Sequence, residues 1–460
     1  MPSWRTPRRD FLHLAAGAAL ASASVPRVLA AANGKLQHAC IGVGGMGHHD
    51  LHQFLSHPRT QVVAVCDVDE NHLKRAVDDA RKKGHEPRAY VDWRELLAKE
   101  GAAVDSVNIT VPDHMHAAIT LAALAAGKHV YCQKPLTHDV AESREVMLAA
   151  KAATGRVTQL GAQHGSGAGD RTAVHWIREG VVGEVSRVIL CSNRPRSERY
   201  RLKGPRPEKG EPTPKHLHWD LWLGTAPERP YAPSIYHPTF WRAWQDFGTG
   251  WSGDIGCHIF DAVWKGLGLT APTSVFARVQ DSWRDDAARR ADTWPQSDHI
   301  TWTFPGNKLT GGKEIPVEWF DGAFFPPADV QARCPLKPYP HESSMVIGSE
   351  GAVLLPHGKM PLLLPVDKFK DHPASKQTQP GWNHYHHFAD ACLGGPATET
   401  HFLHAGPMTE AILLGTVAIR VPGERLDWDA QGMRFPKHPQ ADAFLKRTYR
   451  EGFKANPTQA

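Results

Sequence analysis

The chain has 460 residues, 41% hydrophobic and 22% charged, with 53 Lys+Arg against 48 Asp+Glu and a formal charge of +5. Those fractions exclude a disordered or fibrous protein, and the length accommodates two to three domains of about 150 residues. Residues 1–32 hold Arg5, Arg8, Arg9 and Arg27 against Asp10; the remaining 49 basic and 47 acidic residues give no electrostatic footing for a nucleic-acid partner.

The first segment reads as an address. Arg8-Arg9 precede Phe11-Leu12, an apolar stretch runs from Leu12 to Leu20, and small residues continue to Ala32. A basic head, a short apolar run and small-x-small sites (Val28-Leu29-Ala30, Ala30-Ala31-Ala32) make a signal peptide over residues 1–32. The paired arginines resemble a twin-arginine export signal, which carries folded proteins, so the expected destination is the periplasm. No later run approaches about 18 consecutive apolar residues, so no membrane span is expected in the mature protein.

A strand ends at Ile41. Gly42, Gly44 and Gly47 then form G-x-G-x-x-G, with Gly45 and Met46 between, and a helix is expected from Met46 toward His57. A second strand, Gln61 to Cys66, ends at Asp67, twenty residues after Gly47. This order carries a dinucleotide site: glycines permit the turn and the approach of a pyrophosphate, the helix N-terminus offers N–H groups, and the acid accepts from ribose hydroxyls. Asp67 disfavours a 2′-phosphate and no Lys or Arg follows in Val68-Asp69-Glu70, so NAD is expected over NADP. The alternation continues with helices over Leu73–Lys83, Trp93–Lys99 and His116–Ala126 and strands over Ser106–Thr110 and Lys128–Cys132. A parallel sheet follows, with ligand at the carboxyl ends of its strands. Two segments stand there: Val111-Pro112-Asp113-His114 and Gln133-Lys134-Pro135.

At Gln133-Lys134-Pro135 the sequence resembles the Gfo/Idh/MocA family of sugar and inositol oxidoreductases, and the resemblance extends over most of the mature chain. The dinucleotide turn Gly42–Gly47, the stretch Val111–His116, and Gly248–His258 with Asp261 carry the resemblance, as does the tail from Thr409-Glu410 to Asp429. It implies an α/β fold: an N-terminal Rossmann dinucleotide-binding domain (35–160) and a C-terminal substrate-binding and catalytic α/β domain (161–460) with an open, largely antiparallel sheet. It implies catalytic positions at Lys134, Asp254 and His258, cofactor contacts at Gly42, Gly44, Gly45, Met46, Gly47, Asp67, Pro112, His116, Gln133 and Lys134, and a homo-oligomer. Gln133 departs from the family's usual glutamate, and Val111 from its threonine. Chemically, His258 is the natural base for a hydroxyl proton, Asp254 four residues earlier can face and orient it, and Lys134 can stabilise alkoxide charge.

After Gly161-Ala-Gln163-His164 the pattern changes. A helix is expected over Thr172–Glu179 and strands over Glu184–Asn193, Thr273–Val279, His299–Phe304, Pro316–Phe320 and Ser344–Leu355. Gln163 and His164, just past a strand, are substrate-site candidates. Residues 200–250 are rich in Pro, Trp and charge; Trp219 and Asp220 suit stacking on and bonding to a carbohydrate, or else the packing of a long loop or an oligomer contact. The 28 histidines include His384-Tyr-His386-His387 and His216-Leu-His218, but neither run supplies three ligands with an evident acid, so no metal is expected. The seven cysteines, widely spaced and without C-x-x-C, read as buried apolar residues. The expected reaction is hydride transfer from a secondary hydroxyl of a sugar, polyol or glycoside. The alternatives are a redox-neutral glycosidase, lyase or epimerase with a retained NAD, and a non-catalytic binding protein.

Overall fold

The computed structural model describes residues 34–195, 200, 202 and 205–453; the predicted signal segment lies outside them. The chain opens with β1 (Leu36–Ile41), α1 (Met46–Leu55), β2 (Thr60–Cys66), α2 (Glu70–Lys82), β3 (Arg88–Tyr90), α3 (Trp93–Glu100), β4 (Ser106–Ile109), α4 (His116–Ala125), β5 (His129–Cys132), α5 (Val140–Ala152) and β6 (Thr158–Leu160). The six strands form one parallel sheet in the order β3-β2-β1-β4-β5-β6. Chain direction across the sheet reverses between β1 and β4, so the loops after them diverge and open a crevice at their carboxyl ends.

The second unit follows with α6 (Ala168–Arg178), β7 (Val185–Ser192), α7 (Trp219–Leu223), α8 (Gly250–Leu267), β8 (Ser274–Val279), the short α9 (Asp281–Arg284) and α10 (Ala287–Asp292), β9 (Asp298–Phe304) and β10 (Ile315–Asp321). It continues with α11 (Ala328–Arg333), β11 (Glu342–Gly348), β12 (Ala352–Pro356), β13 (Leu362–Leu364), α12 (Val366–Phe369), α13 (His384–Cys392), α14 (Phe402–Arg420) and β14 (Leu426–Asp427). Its eight strands run β13-β12-β11-β7-β10-β9-β8-β14, antiparallel except for β7 with β10. The alternation along β9 and β10 places Ile300, Trp302, Phe304, Val317 and Trp319 inside, the period of a half-buried sheet.

The last third of the chain returns to the first sheet. Tyr385, Phe388, Ala389 and Cys392 of α13 join Leu51, Phe54 and Tyr131 in one buried cluster, and the Tyr385 hydroxyl donates to Asp50 at 2.8 Å. Helix α14 packs on α5 and α8, where Arg144 binds Glu410 through two nitrogens at 2.7 and 2.8 Å. Helix α5 opens with a capping box, Asp139 and Glu142 each accepting the other's amide, and Arg447 binds Glu142 at 2.8 Å. Among the described residues α14 alone is long and apolar enough to cross a bilayer, yet 83% of that stretch is buried inside the protein. All seven cysteines are buried and unpaired.

Four buried histidines set an acid limit on this fold. Burial depresses His38, His114 and His384 to about 3 and His129 to about 4. An unfolded histidine titrates near 6.5. Below that pH the unfolded chain takes up protons that the native chain refuses, so stability falls as pH falls. At pH 5.5 the loss is about 1 kcal/mol for each of the four. Urea midpoints at pH 7.5 and 5.5 measure it, and equal midpoints contradict it.

Candidate active site

The crevice between β1 and β4 is a cleft of about 420 Å³. Its floor is the glycine turn. Gly42 has φ 82°, and a Cβ there would stand 2.3 Å from the Thr110 carbonyl oxygen; a Cβ on Gly47 would stand 2.0 Å from that of Gly42. Both positions therefore need glycine, one for the turn and one for helix against strand. Gly44, Gly45 and Met46 line the cleft, no side chain caps α1, and no acid occupies its first turn, so the helix end keeps its affinity for an anion.

Asp67, at the end of β2, accepts from Val43 N at 2.8 Å and Gly44 N at 3.1 Å through Oδ2, and from Asp69 N through Oδ1. It fastens the turn and lines the cleft. His72 lies with its Nδ1 3.7 Å from Asp67, and that carboxylate raises its pKa. Arg75, on the same helix face one turn on, also lines this end. Sequence reading stopped at Glu70 and missed both, because helix α2 brings them back to the strand end. The glycine cradle and Asp67 fit a dinucleotide: the turn would hold the pyrophosphate and Asp67 the ribose.

Pro112 lines the cleft, but His116 does not. His116 is 1% exposed, and its ring nitrogens lie 2.6 Å from the Pro135 carbonyl and 2.8 Å from that of Val111. The expectation of a cofactor contact there is corrected: His116 is buried away from the cleft and ties the loops after β4 and β5 together.

Gln133 is buried and donates from Nε2 to Asp50 Oδ2 at 2.9 Å. Asp50 is fully buried, so its carboxyl is raised by burial, against hydrogen bonds from Gln133, Thr110 and Tyr385. This accounts for the departure from the family's glutamate: a second carboxylate here would face the first and remove its donor. Gln133→Glu is expected to cost about 3 kcal/mol in chemical denaturation. Adding Asp50→Asn is expected to restore most of it; a neutral single substitution contradicts the account.

Lys134, next in line, reaches across to α8. Its Nζ donates to the Asp254 carbonyl at 3.0 Å and to the Asp254 carboxylate. The other carboxylate oxygen accepts from Tyr200 and from Arg242 Nε at 3.2 Å. Asp113, in the loop after β4, accepts from Thr249 at 2.9 Å, and burial followed by Asp254 raises its carboxyl. The expected pairing of Asp254 with His258 is therefore corrected. Full charges on Lys134 and Arg242 hold the Asp254 carboxylate, while Nδ1 of His258 is buried without a hydrogen bond. His258 instead faces the rings of His357 and His164, with centroids at 5.3 and 6.4 Å. Burial, then Lys134, His357 and His164, push its pKa well below the ordinary value, against Asp254. His258 is a neutral base, not an imidazolium stabilised by a carboxylate.

Gln163 donates to the Tyr385 hydroxyl at 3.2 Å, and His164 packs on His357 at 4.3 Å, so both stand near Gln133 and His258. Trp219 and Asp220 are brought elsewhere. Trp219 stacks on Trp222 at 4.6 Å and donates to the Arg229 carbonyl; Asp220 is exposed and pairs with Arg450. Neither lines the cleft; Trp219 packs against the aromatic cluster of its own loop. The loop still serves the site, through Tyr200, Arg242, Trp222 and Trp241. The two histidine runs disperse: His384 bonds Ser166 and the Leu160 carbonyl, while His218 pairs with Glu70.

Comparison with known proteins agrees with this geometry. Residues 36–160 match the family described as "Oxidoreductase family, NAD-binding Rossmann fold", and residues 172–299 match its C-terminal alpha/beta domain. The chain belongs to the Gfo/Idh/MocA oxidoreductase family. A glycosyl hydrolase family 109 protein of Stenotrophomonas maltophilia is 36% identical over 135 residues, 27% of this chain and 29% of that protein. An inositol 2-dehydrogenase of Salmonella typhimurium is 32% identical over 127 residues, 27% and 36% of the two chains. The matched stretch thus spans about a third of these relatives. The WlbA dehydrogenase of Bordetella pertussis, solved with NADH and UDP-GlcNAcA, shares the fold at TM-score 0.57 and 15% identity, over 86% of this chain and 99% of that one. An inositol dehydrogenase homolog of Azotobacter vinelandii, solved with NADH and myo-inositol, does so at TM-score 0.56 and 18% identity, over 86% and 98%.

Proposed function

We propose that this oxidoreductase oxidises a secondary hydroxyl of a sugar, polyol or glycoside. The observation that carries the reading is that Lys134, past the carboxyl end of β5 in the glycine cleft, is held by Asp254 of α8, one turn before the neutral His258 whose pKa Lys134 depresses. Bound NAD supplies the hydride acceptor. Lys134 donates to the substrate oxygen, and Asp254, Tyr200 and Arg242 fix its position. His258 takes the hydroxyl proton, which its neutral state permits. Asp67 supports NAD over NADP; His72 and Arg75 make a direct affinity comparison of the two necessary. The test is NADH formation across a panel of inositols, hexoses, uronic acids and glycosides. No reduction of either nicotinamide by any of them contradicts net oxidation.

A redox-neutral reading has its own support, in the family 109 glycosyl hydrolase relative and in the Arg8-Arg9 export pattern, since a folded route carries a loaded cofactor outward. Here His258 or Asp113 removes the proton from the carbon beside the transient ketone. The enolate then either takes a proton on its other face or expels the glycosidic group as an alcohol, with water adding in its place in a hydrolase, and the hydride returns to the ketone carbon. Retained NAD(H) after purification and uptake of solvent deuterium into the product distinguish it. We propose a periplasmic location for the mature chain and a homo-oligomeric state; Arg8→Lys/Arg9→Lys retention in the cytoplasm and light scattering test these.

A further inference from the structure

We propose that the outer face of α1 and α2 binds a divalent transition-metal ion of the zinc class through His48, His52 and Asp79. His48 and His52 stand four residues apart on α1, so their rings share one face. Asp79 comes from the neighbouring helix α2. Nε2 of His48 lies 3.0 Å from Asp79 Oδ2, Nε2 of His52 lies 3.5 Å from that oxygen, and the two nitrogens are 3.3 Å apart. An ion with four tetrahedral ligands at about 2.0–2.1 Å sets each pair of ligand atoms about 3.3 Å apart. The three atoms therefore form one face of such a tetrahedron, and water takes the fourth corner.

The surroundings hold the set in place. Lys82 donates to Asp79 Oδ1 at 2.8 Å, leaving Oδ2 turned to the histidines, the outer partner that orients a ligating carboxylate. All three ligands are half-buried, and both helices are anchored on their inner faces by Leu51, Phe54, Leu73 and Ala76. The donor set of two imidazoles and a carboxylate selects zinc, cobalt, nickel or copper over calcium or magnesium. The ion would clip α1 to α2 beside the dinucleotide turn. The sequence concealed it because the third ligand lies 27 residues beyond the second, away from the histidine runs. In a second group, Asp69, His72 and His237, the two histidines line the cofactor cleft and belong to that site.

The test uses the untagged full chain, stripped with chelator, then titrated with Co²⁺ and Zn²⁺. One Co²⁺ per chain is expected, with visible bands of tetrahedral intensity displaced by Zn²⁺, and Zn²⁺ is expected to raise the melting temperature. His52→Gln and Asp79→Asn should lose the bands and the thermal shift, while His72→Gln should keep both. Metal-free melting and circular dichroism of each variant confirm that it is folded. Absence of uptake by the wild-type chain overturns the proposal, as does uptake unchanged in His52→Gln and Asp79→Asn, or uptake lost only in His72→Gln.

Discussion

Lys134→Ala is expected to lower kcat by about 10²–10³, the cost of removing one preorganised donor to a developing oxyanion. Affinity for NAD should fall far less than kcat, since the glycine turn and Asp67 hold the dinucleotide from other strands, although Lys134 also lines the cleft. The fold should survive, because Asp254 keeps Tyr200 and Arg242. Steady-state kinetics, dinucleotide titration and a melting curve separate these outcomes. A variant with normal kcat would remove Lys134 from the chemistry.

His258→Asn is expected to lower kcat/KM by about 10²–10⁴, the range for a positioned acid–base group. The pH profile carries more information. The neutral imidazole is the active form, and it persists above a folded pKa held well below the ordinary value by burial and then by Lys134. The acid limb of kcat/KM should therefore fall below the ordinary histidine value near pH 6.5. In Lys134→Ala the depressing cation is gone, so the limb of the residual activity should move up; in Asp254→Asn it should move down. A limb near 6.5 that ignores both substitutions contradicts the assignment. Stability must be followed in parallel, since the buried histidines weaken the fold over the same acid range.

The first domain was legible because its signals are local. Gly42 to Asp67 spells strand, turn, helix, strand and acid in order, and the structure places them as that order requires. Its parallel sheet and the largely antiparallel second sheet were both readable from segment patterns. What escaped is what the fold assembles from afar. Arg242 and Tyr200 lie in a loop whose aromatic residues drew attention to Trp219, yet Trp219 packs inside the cluster while Trp222, Trp241, Tyr200 and Arg242 reach the site. Asp113 was visible beside Pro112, but its burial against Asp254 was not. The i, i+4 spacing of Asp254 and His258 was real, yet spacing cannot say that two cations compete for the carboxylate. Helices α13 and α14 went unread, since helices buried on most sides lack the one-sided apolar stripe.

The return of the last third of the chain to the first sheet bears on how the protein is made. A nascent chain that has left the ribosome as far as β6 has all six parallel strands, yet the apolar side of α1 around Phe54 still lacks Tyr385 and Phe388. Helix α5 likewise lacks Glu410 and Arg447. Domains ordinarily fold in order of synthesis; here the first is finished only by the last segment. A stop codon or proteolytic cut shortly before α13 would leave a dinucleotide domain with an open apolar flank, a substrate for chaperones and proteases. The crevice is lined by residues 41–242 alone, so what the last segment supplies is the backing of helix α1 rather than any wall of the cleft.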